Sequence, residues 1–127
     1  MRRRLTLFII PGCLLLLCLS AVAAYFLYKT IVGDPPGVGP KAEQGYQACA
    51  PIIQALASYQ AQQGSYPTAL AGLVPAYLNQ VPAEVTGQPL GYMLKGASYQ
   101  LEFRYVGPGM NICDYSPETG WKCHGYY

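Results

Sequence analysis

The chain has 127 residues and a formal net charge of +2; 52% of its residues are hydrophobic and 11% are charged. This length leaves room for one domain. Four of the eight cations lie in the first 29 residues, whereas four cations and six acids follow from Gly33 onward. The positive charge is therefore confined to the N-terminal end, and we expect no nucleic-acid partner.

The N-terminal segment is apolar enough to cross a membrane. Leu5–Tyr28 contains no charged residue, and at 1.5 Å per residue a helix of this length spans about 36 Å, against a hydrocarbon core of about 30 Å. Arg2–Arg4 precede it and predict that the N-terminus is cytoplasmic. Residues 1–32 are thus predicted to be a basic foot and a single-pass inner-membrane anchor, with the remainder in the periplasm.

The sequence of this segment allows two other interpretations. Ala21–Ala23 has the A-x-A pattern of a signal-peptide cleavage site, but the hydrophobic run continues through Tyr25–Tyr28 and favours an uncleaved anchor. Cleavage after Ala23 stays open. Ile10–Cys13 loosely resembles a lipoprotein signal, whereas Cys13 and Cys18 are better explained as small apolar residues of a membrane helix.

A linker and an amphipathic helix come next. Residues 33–40 contain three prolines and three glycines, which predicts a spacer before a domain at residues 41–127. We expect a helix over Lys41–Gln63, kinked at Pro51 and capped by Gly64. Its apolar face consists of Cys49, Ile52, Ile53, Leu56 and Tyr59.

A second short helix is predicted after the first. Pro67 cannot continue the first helix, and Thr68 is a suitable N-cap for a helix over Ala69–Val74, which Pro75 would end. The following residues 83–89 carry glycine and proline and are predicted to be a loop.

The pattern then changes to the alternation of β-strands. We predict strands at residues 90–95 and 99–105, a break at Gly107–Gly109, and a hairpin of residues 111–115 and 121–125. The fold predicted is α+β, with the amphipathic helix packed on a small antiparallel sheet. The apolar face of the clearest strand consists of Tyr99, Leu101, Phe103 and Tyr105.

The cysteines of the exterior part predict one disulfide. If Tyr115 pairs with Trp121 across the hairpin, Cys113 lies directly opposite Cys123, at a separation that a disulfide can bridge. Such a bridge implies an oxidising compartment. Cys49 is then left over and is interpreted as a small buried residue of the helix rather than a reactive thiol.

Several runs of residues resemble a known family. They are Ile53–Tyr59, Gly64–Leu70, Leu73–Leu78, Val81-Pro82, Gly87–Tyr92 and Tyr99–Leu101. With these runs the globular part, over about residues 45–106, is similar to that of the major pseudopilin of type II secretion systems, a relative of type IV pilins. The resemblance implies a non-enzymatic structural protein that assembles into envelope filaments.

The chain also departs from that family. It lacks the prepilin-peptidase motif at its N-terminus, and its linker interrupts the helix that runs unbroken in pseudopilins. The acidic residues that hold calcium in the major pseudopilin are replaced here by Cys113, Cys123 and the pair Asp114 and Glu118, which offers few oxygen ligands. We predict no metal and no cofactor.

The sequence gives little support for a set of catalytic residues. His124 could be drawn into a triad with Asp114 and Ser116, or into a thiol and base pair with Cys49, but no recognisable motif surrounds either set. We therefore expect a surface histidine and no enzyme activity.

Two functions fit these observations. The first is a membrane-anchored, pseudopilin-like interaction or structural module that docks on another envelope protein. The second is a periplasmic module that binds a glycan or peptide through exposed rings of Tyr105, Tyr115, Trp121 and Tyr126.

Overall fold

The structure is a computed structural model that describes the backbone of residues 2–107 and 109–126 and the side chains of residues 14–107 and 109–125. Its contacts divide the chain into two compact units, Met1–Gly33 and Asp34–Tyr127. The chain is α+β, with two helices and antiparallel sheets.

The first unit is one long helix, α1, over Arg2–Val32. Its stretch Leu14–Val32 has a mean hydropathy of 1.9 and is not buried, and its length and composition suffice to cross a membrane. The hydroxyls of Ser20 and Thr30 donate to the carbonyls of Leu17 and Leu27 within the helix. A cleaved signal sequence has the same features, so cleavage after residue 23 stays open. The side chain of Cys13 lies outside the described residues.

The second helix, α2, extends over Pro40–Gln63 and confirms the predicted amphipathic helix. It continues through Pro51 and ends at Gly64, whose left-handed backbone (φ 76°) lets its N–H donate to the carbonyl of Gln60 at 2.8 Å. Its buried face consists of Ala42, Gly45, Cys49, Ile52, Ala55 and Leu56.

The predicted second α-helix is replaced by a single turn of 3₁₀ helix, Leu70–Leu73. Thr68 is not its N-cap: Ala69 holds that position, and no side chain caps the turn. Pro67 and Pro75 leave too few residues between them for an α-helix of ordinary length, and a 3₁₀ turn fits such short segments. Since residues three apart in a 3₁₀ turn lie on one face, Leu70 and Leu73 are buried together.

The predicted loop at residues 83–89 contains a small hairpin. Strands β1 (Glu84–Val85) and β2 (Gln88–Pro89) pair antiparallel around Thr86 and Gly87, both of which have positive φ. A two-residue turn with positive φ at both positions matches the twist of the two strands that it joins.

The main sheet has four antiparallel strands in the order β3-β4-β5-β6. They are β3 (Gly91–Lys95), β4 (Ser98–Gly107), β5 (Gly109–Ser116) and β6 (Gly120–Tyr126), close to the predicted ranges. Each is joined to the next by a tight connection, so the sheet is a simple meander.

Strand β4 lies at the centre of the core. Its residues Tyr99, Leu101, Phe103 and Tyr105 are buried, and the residues between them face outward. Helix α2 packs on this inner face, which confirms the predicted packing of helix on sheet. At the closest approach, Gly45 faces Phe103, and a Cβ on Gly45 would overlap the aromatic ring.

Replacement of this glycine tests the close approach. Alanine is the better helix former by about 1 kcal/mol, so propensity alone predicts that Gly45→Ala stabilises the protein. The overlap with Phe103 costs about 1 to 3 kcal/mol or more, and we expect a net loss of unfolding free energy. Denaturant unfolding of the full chain in detergent measures it. The control is Ala57→Ser, which adds one atom on the exposed face of the same helix; equal or higher stability of Gly45→Ala would refute the close contact.

Candidate functional site

The hairpin of β5 and β6 carries the disulfide. Tyr115 pairs with Trp121, which brings Cys113 opposite Cys123 with a Cα–Cα distance of 4.1 Å, and their sulfurs are bonded. Cys113 is fully buried and Cys123 is partly buried against the core. The bridge thus joins the last strand of the chain to the interior beneath α2.

The segment between the two helices lies on this hairpin, and we call residues 34–39 the strap. The N–H of Gly37 donates to the hydroxyl of Tyr105 at 2.8 Å, and its carbonyl accepts a bond from the hydroxyl of Tyr46 at 3.0 Å. Pro36 lies against Gly125 of β6, where a Cβ would come within 2.9 Å of its ring. Asp34–Gly39, most of the predicted spacer at residues 33–40, therefore belong to the globular unit.

Gly37 contacts the disulfide directly. Its φ is +82°, and a Cβ there would lie 2.8 Å from both the Cβ and the Sγ of Cys123. Contacts below 3.0 Å are not tolerated, and the backbone angle is itself strained for other residues. Tyr46 also contacts the disulfide: its hydroxyl oxygen is 3.1 Å from the Sγ of Cys123 and 3.8 Å from that of Cys113.

An aromatic cluster surrounds the bridge. The ring of Trp121 lies 5.1 Å from that of Tyr46, 5.2 Å from that of Phe103 and 5.3 Å from that of Tyr115. Tilted and edge-on pairs at these distances stabilise beyond the area that they bury. Burial raises the pKa of the Tyr46 hydroxyl, with a smaller contribution from Tyr105, so it stays protonated and can donate to the strap.

A second aromatic group secures the loop after α2. Tyr66 packs edge-on against Tyr99 at 4.8 Å, and the hydroxyl of Tyr92 donates to the carbonyl of Pro67 at 2.7 Å. Burial raises the pKa of Tyr92 and, more strongly, that of Tyr99. Tyr99 is therefore a core residue, and Tyr66 and Tyr92 pack against the core at its edge.

The proposed glycan-stacking residues are largely used in packing. Tyr105 is only 4% exposed, and its hydroxyl accepts the bond from Gly37. Tyr115 and Trp121 are partly buried and pack against each other and the core. The side chain of Tyr126 lies outside the described residues. Of the described rings, that of Tyr105 is buried and those of Tyr115 and Trp121 are partly engaged in packing.

Cys49 is sealed in the core. It is fully buried on the inner face of α2, and burial raises the pKa of its thiol to about 12. Since the thiolate is the nucleophile, this environment suppresses reactivity. It is on the opposite side of the sheet from His124, which lies beside Ile112 and Asp114 on the outer face, so the structure does not bring the two together.

The residues of the hypothetical triad lie on one hairpin but are spread along it, since His124 pairs with Ile112 whereas Ser116 pairs with Gly120 at the turn. The Nδ1 of His124 is 3.9 Å from the Oδ1 of Asp114, beyond hydrogen-bond distance, and both groups are on the solvent side. The hydroxyl of Ser116 bonds that of Thr119 at 2.9 Å within the hairpin turn. Within the described residues, no three His, Cys, Asp or Glu side chains come together as a possible metal site.

The outer face of the sheet is uncovered. Glu102 and Arg104 form an ion pair there at 2.7 Å, and apolar side chains stand among such charges. Met93 is 60% exposed and Val106 is 50% exposed, while Met110 pairs with Val106 across β4 and β5. In the part of the chain that the structure describes, helix α2 packs on the inner face and leaves this mixed face exposed.

Comparison of the chain with protein-family models, curated proteins and solved structures gave no match.

Two features near the bridge went unnoticed in the sequence. Gly37 is one of several glycines in a proline-rich run, and no local pattern distinguishes it from a flexible linker residue. Asn111 is buried, with Gly107 and Gly125 leaving room for its amide: a Cβ on either would lie within 2.9 Å of it. The glycine opposite Asn111 in the predicted hairpin was the available signal for this second feature.

Removal of the bridge tests its stabilising role. Joining two cysteines 10 residues apart lowers the entropy of the unfolded chain, so we expect Cys113→Ala with Cys123→Ala to reduce the unfolding free energy by about 2 to 3 kcal/mol. Thermal unfolding of the wild-type protein and of the double variant in detergent measures this loss of stability, and Cys18→Ala is the control. An unchanged transition would mean that the bridge does not stabilise the fold.

Alkylation tests the burial of Cys49. At pH 8 a thiol with a pKa of about 12 is ionised in about one molecule in 10,000, so we expect a maleimide to leave Cys49 unlabelled in the native protein and to label it after unfolding in urea. Peptide mass spectrometry resolves it from Cys18. Rapid native labelling of Cys49 would revive the thiol-enzyme hypothesis.

Proposed function

We propose that this protein is a non-enzymatic, pseudopilin-like module of the bacterial envelope. It is held in the inner membrane by α1, with its N-terminus in the cytoplasm, and presents the globular unit to the periplasm, where that unit contacts another envelope protein. A role in secretion or pilus assembly follows from the resemblance of residues 45–106 to the major pseudopilin.

The observation that carries this proposal is the one-sided sheet. Helix α2 covers the inner face, and the outer face presents Met93, Val106 and Met110 beside charged residues. Protein interfaces combine apolar contacts with a polar rim in this way. A domain that uses its aromatic rings for internal packing offers this face, rather than an aromatic cleft, to a partner.

The N-terminal segment and the disulfide support the location. A long apolar helix follows three arginines, the arrangement that leaves the N-terminus in the cytoplasm. The bridge Cys113–Cys123 persists in an oxidising compartment such as the periplasm. Both features agree with one outward-facing domain.

Site-specific photocrosslinking in cells tests the proposal. A photoreactive amino acid at Met93 or Val106 reports contacts of the uncovered face, and the same residue at Gln54 on the exposed side of α2 is the matched control. We expect discrete crosslinks to an envelope protein from the first two positions and fewer from the third. Equal, diffuse labelling from all three positions, or none, would refute docking through this face.

A further inference from the structure

The strap packs against the Cys123 side of the disulfide. Thiol reduction needs a thiolate to reach a sulfur from outside the bond, so its rate depends on access. Cys113 is fully buried, which leaves Cys123 as the approachable sulfur. Gly37 lies directly against that sulfur, and the hydroxyl of Tyr46 is 3.1 Å from it.

We propose that the strap is a lid over the Cys113–Cys123 bridge, and that a thiol reduces the bridge only after the strap has lifted from the hairpin. The lid belongs to the globular unit and is a feature of the fold itself. It stands independently of the function proposed above.

The strap is irregular backbone at the surface of the globular unit. Residues 34–39 belong to no helix or strand, and Pro35 and Val38 are exposed. Two hydrogen bonds at Gly37, one to the Tyr105 hydroxyl and one from that of Tyr46, and the packing of Pro36 on Gly125 seat it on the hairpin. Surface segments of this kind open locally at a lower free energy than core strands, so we expect the strap to open more readily than the strands beneath it.

The reaction that the lid controls is ordinary thiol–disulfide exchange. One thiolate of a dithiol such as dithiothreitol attacks the Sγ of Cys123, a new S–S bond forms, and the Sγ of Cys113 leaves as a thiolate that takes up a proton. The second thiol of the reductant then closes on the mixed disulfide and releases Cys123. The protein gains two thiols, and the dithiol becomes a cyclic disulfide.

Reduction kinetics of the full chain in detergent micelles test the lid. Samples in dithiothreitol are quenched by alkylation, and intact mass gives the fraction reduced. Tyr105→Phe removes the acceptor of the Gly37 N–H, and we expect it to raise the reduction rate about fivefold, the effect of one ordinary hydrogen bond. Tyr77→Phe is the matched control, because its hydroxyl bonds Gln62 instead, at 2.9 Å; its rate should stay within about twofold of wild type.

A glycine pair gives a second, independent comparison. Gly37→Ala places a Cβ against Cys123, whereas Gly96→Ala has the same kind of positive φ with no atom within 4 Å of its Cβ. Both variants place a residue with a Cβ at a strained positive φ, but only Gly37→Ala displaces the strap. We expect Gly37→Ala to be reduced at least about tenfold faster than Gly96→Ala.

Unfolding free energies measured on the same variants separate lid opening from global loss of structure. The lid is supported if the reduction rates of Tyr105→Phe and Gly37→Ala rise by more than their loss of unfolding free energy accounts for. Rates that follow global stability equally at all four positions would overturn it. So would a wild-type bridge that is reduced as fast as in urea, since it would then have no cover.

Discussion

The structure depends on how closely helix α2 approaches strand β4. Gly45 has no side chain, so the helix backbone comes down onto the ring of Phe103. That ring also packs edge-on with Tyr46 of the helix at 5.5 Å and with Trp121 of the last strand at 5.2 Å. One aromatic side chain therefore links the helix, the central strand and the edge of the sheet. A small domain has a limited core, and contacts shared by several elements contribute much of its stability.

The cysteines of the globular unit have different roles because they lie in different secondary structure. Cys49 lies on the helix face under the sheet, where burial raises its pKa and keeps it a packing residue. Cys113 and Cys123 lie opposite each other on neighbouring strands, and their geometry allows the bridge. The difference comes from secondary structure: a helix isolates a single cysteine, whereas paired strands bring two together.

Regular patterns made most of the fold predictable. The alternation of residues 99–105 identified the buried face of β4, and the pairing of Tyr115 with Trp121 determined which cysteines meet. The structure of short segments was less predictable, because packing against the rest of the domain determines it more than local propensity does. The turn at Leu70–Leu73 is shorter than a helix, since prolines flank it, and the hairpin around Thr86 and Gly87 has only two residues in each strand.

The strap shows where composition misleads. Prolines and glycines predicted a spacer because they exclude helix and strand, yet the same residues fit tightly when a partner surface exists. Pro36 rests on Gly125, and the positive φ of Gly37 turns its N–H toward Tyr105. These partners lie far along the chain, so no window of local sequence contains the interaction. The same limit applies to the candidate site, since the cover of the bridge exists only after the hairpin has formed.

The separation along the chain has a consequence for biosynthesis. Gly37 leaves the ribosome long before Tyr105, which follows it by 68 residues, and before the cysteines that it covers. The strap residues therefore meet these partners only after β4 and β6 have been translated. A nascent chain that stalls before Gly120 contains Tyr46 and Tyr105 but lacks Cys123 and Gly125, so the surface on which the strap packs is incomplete.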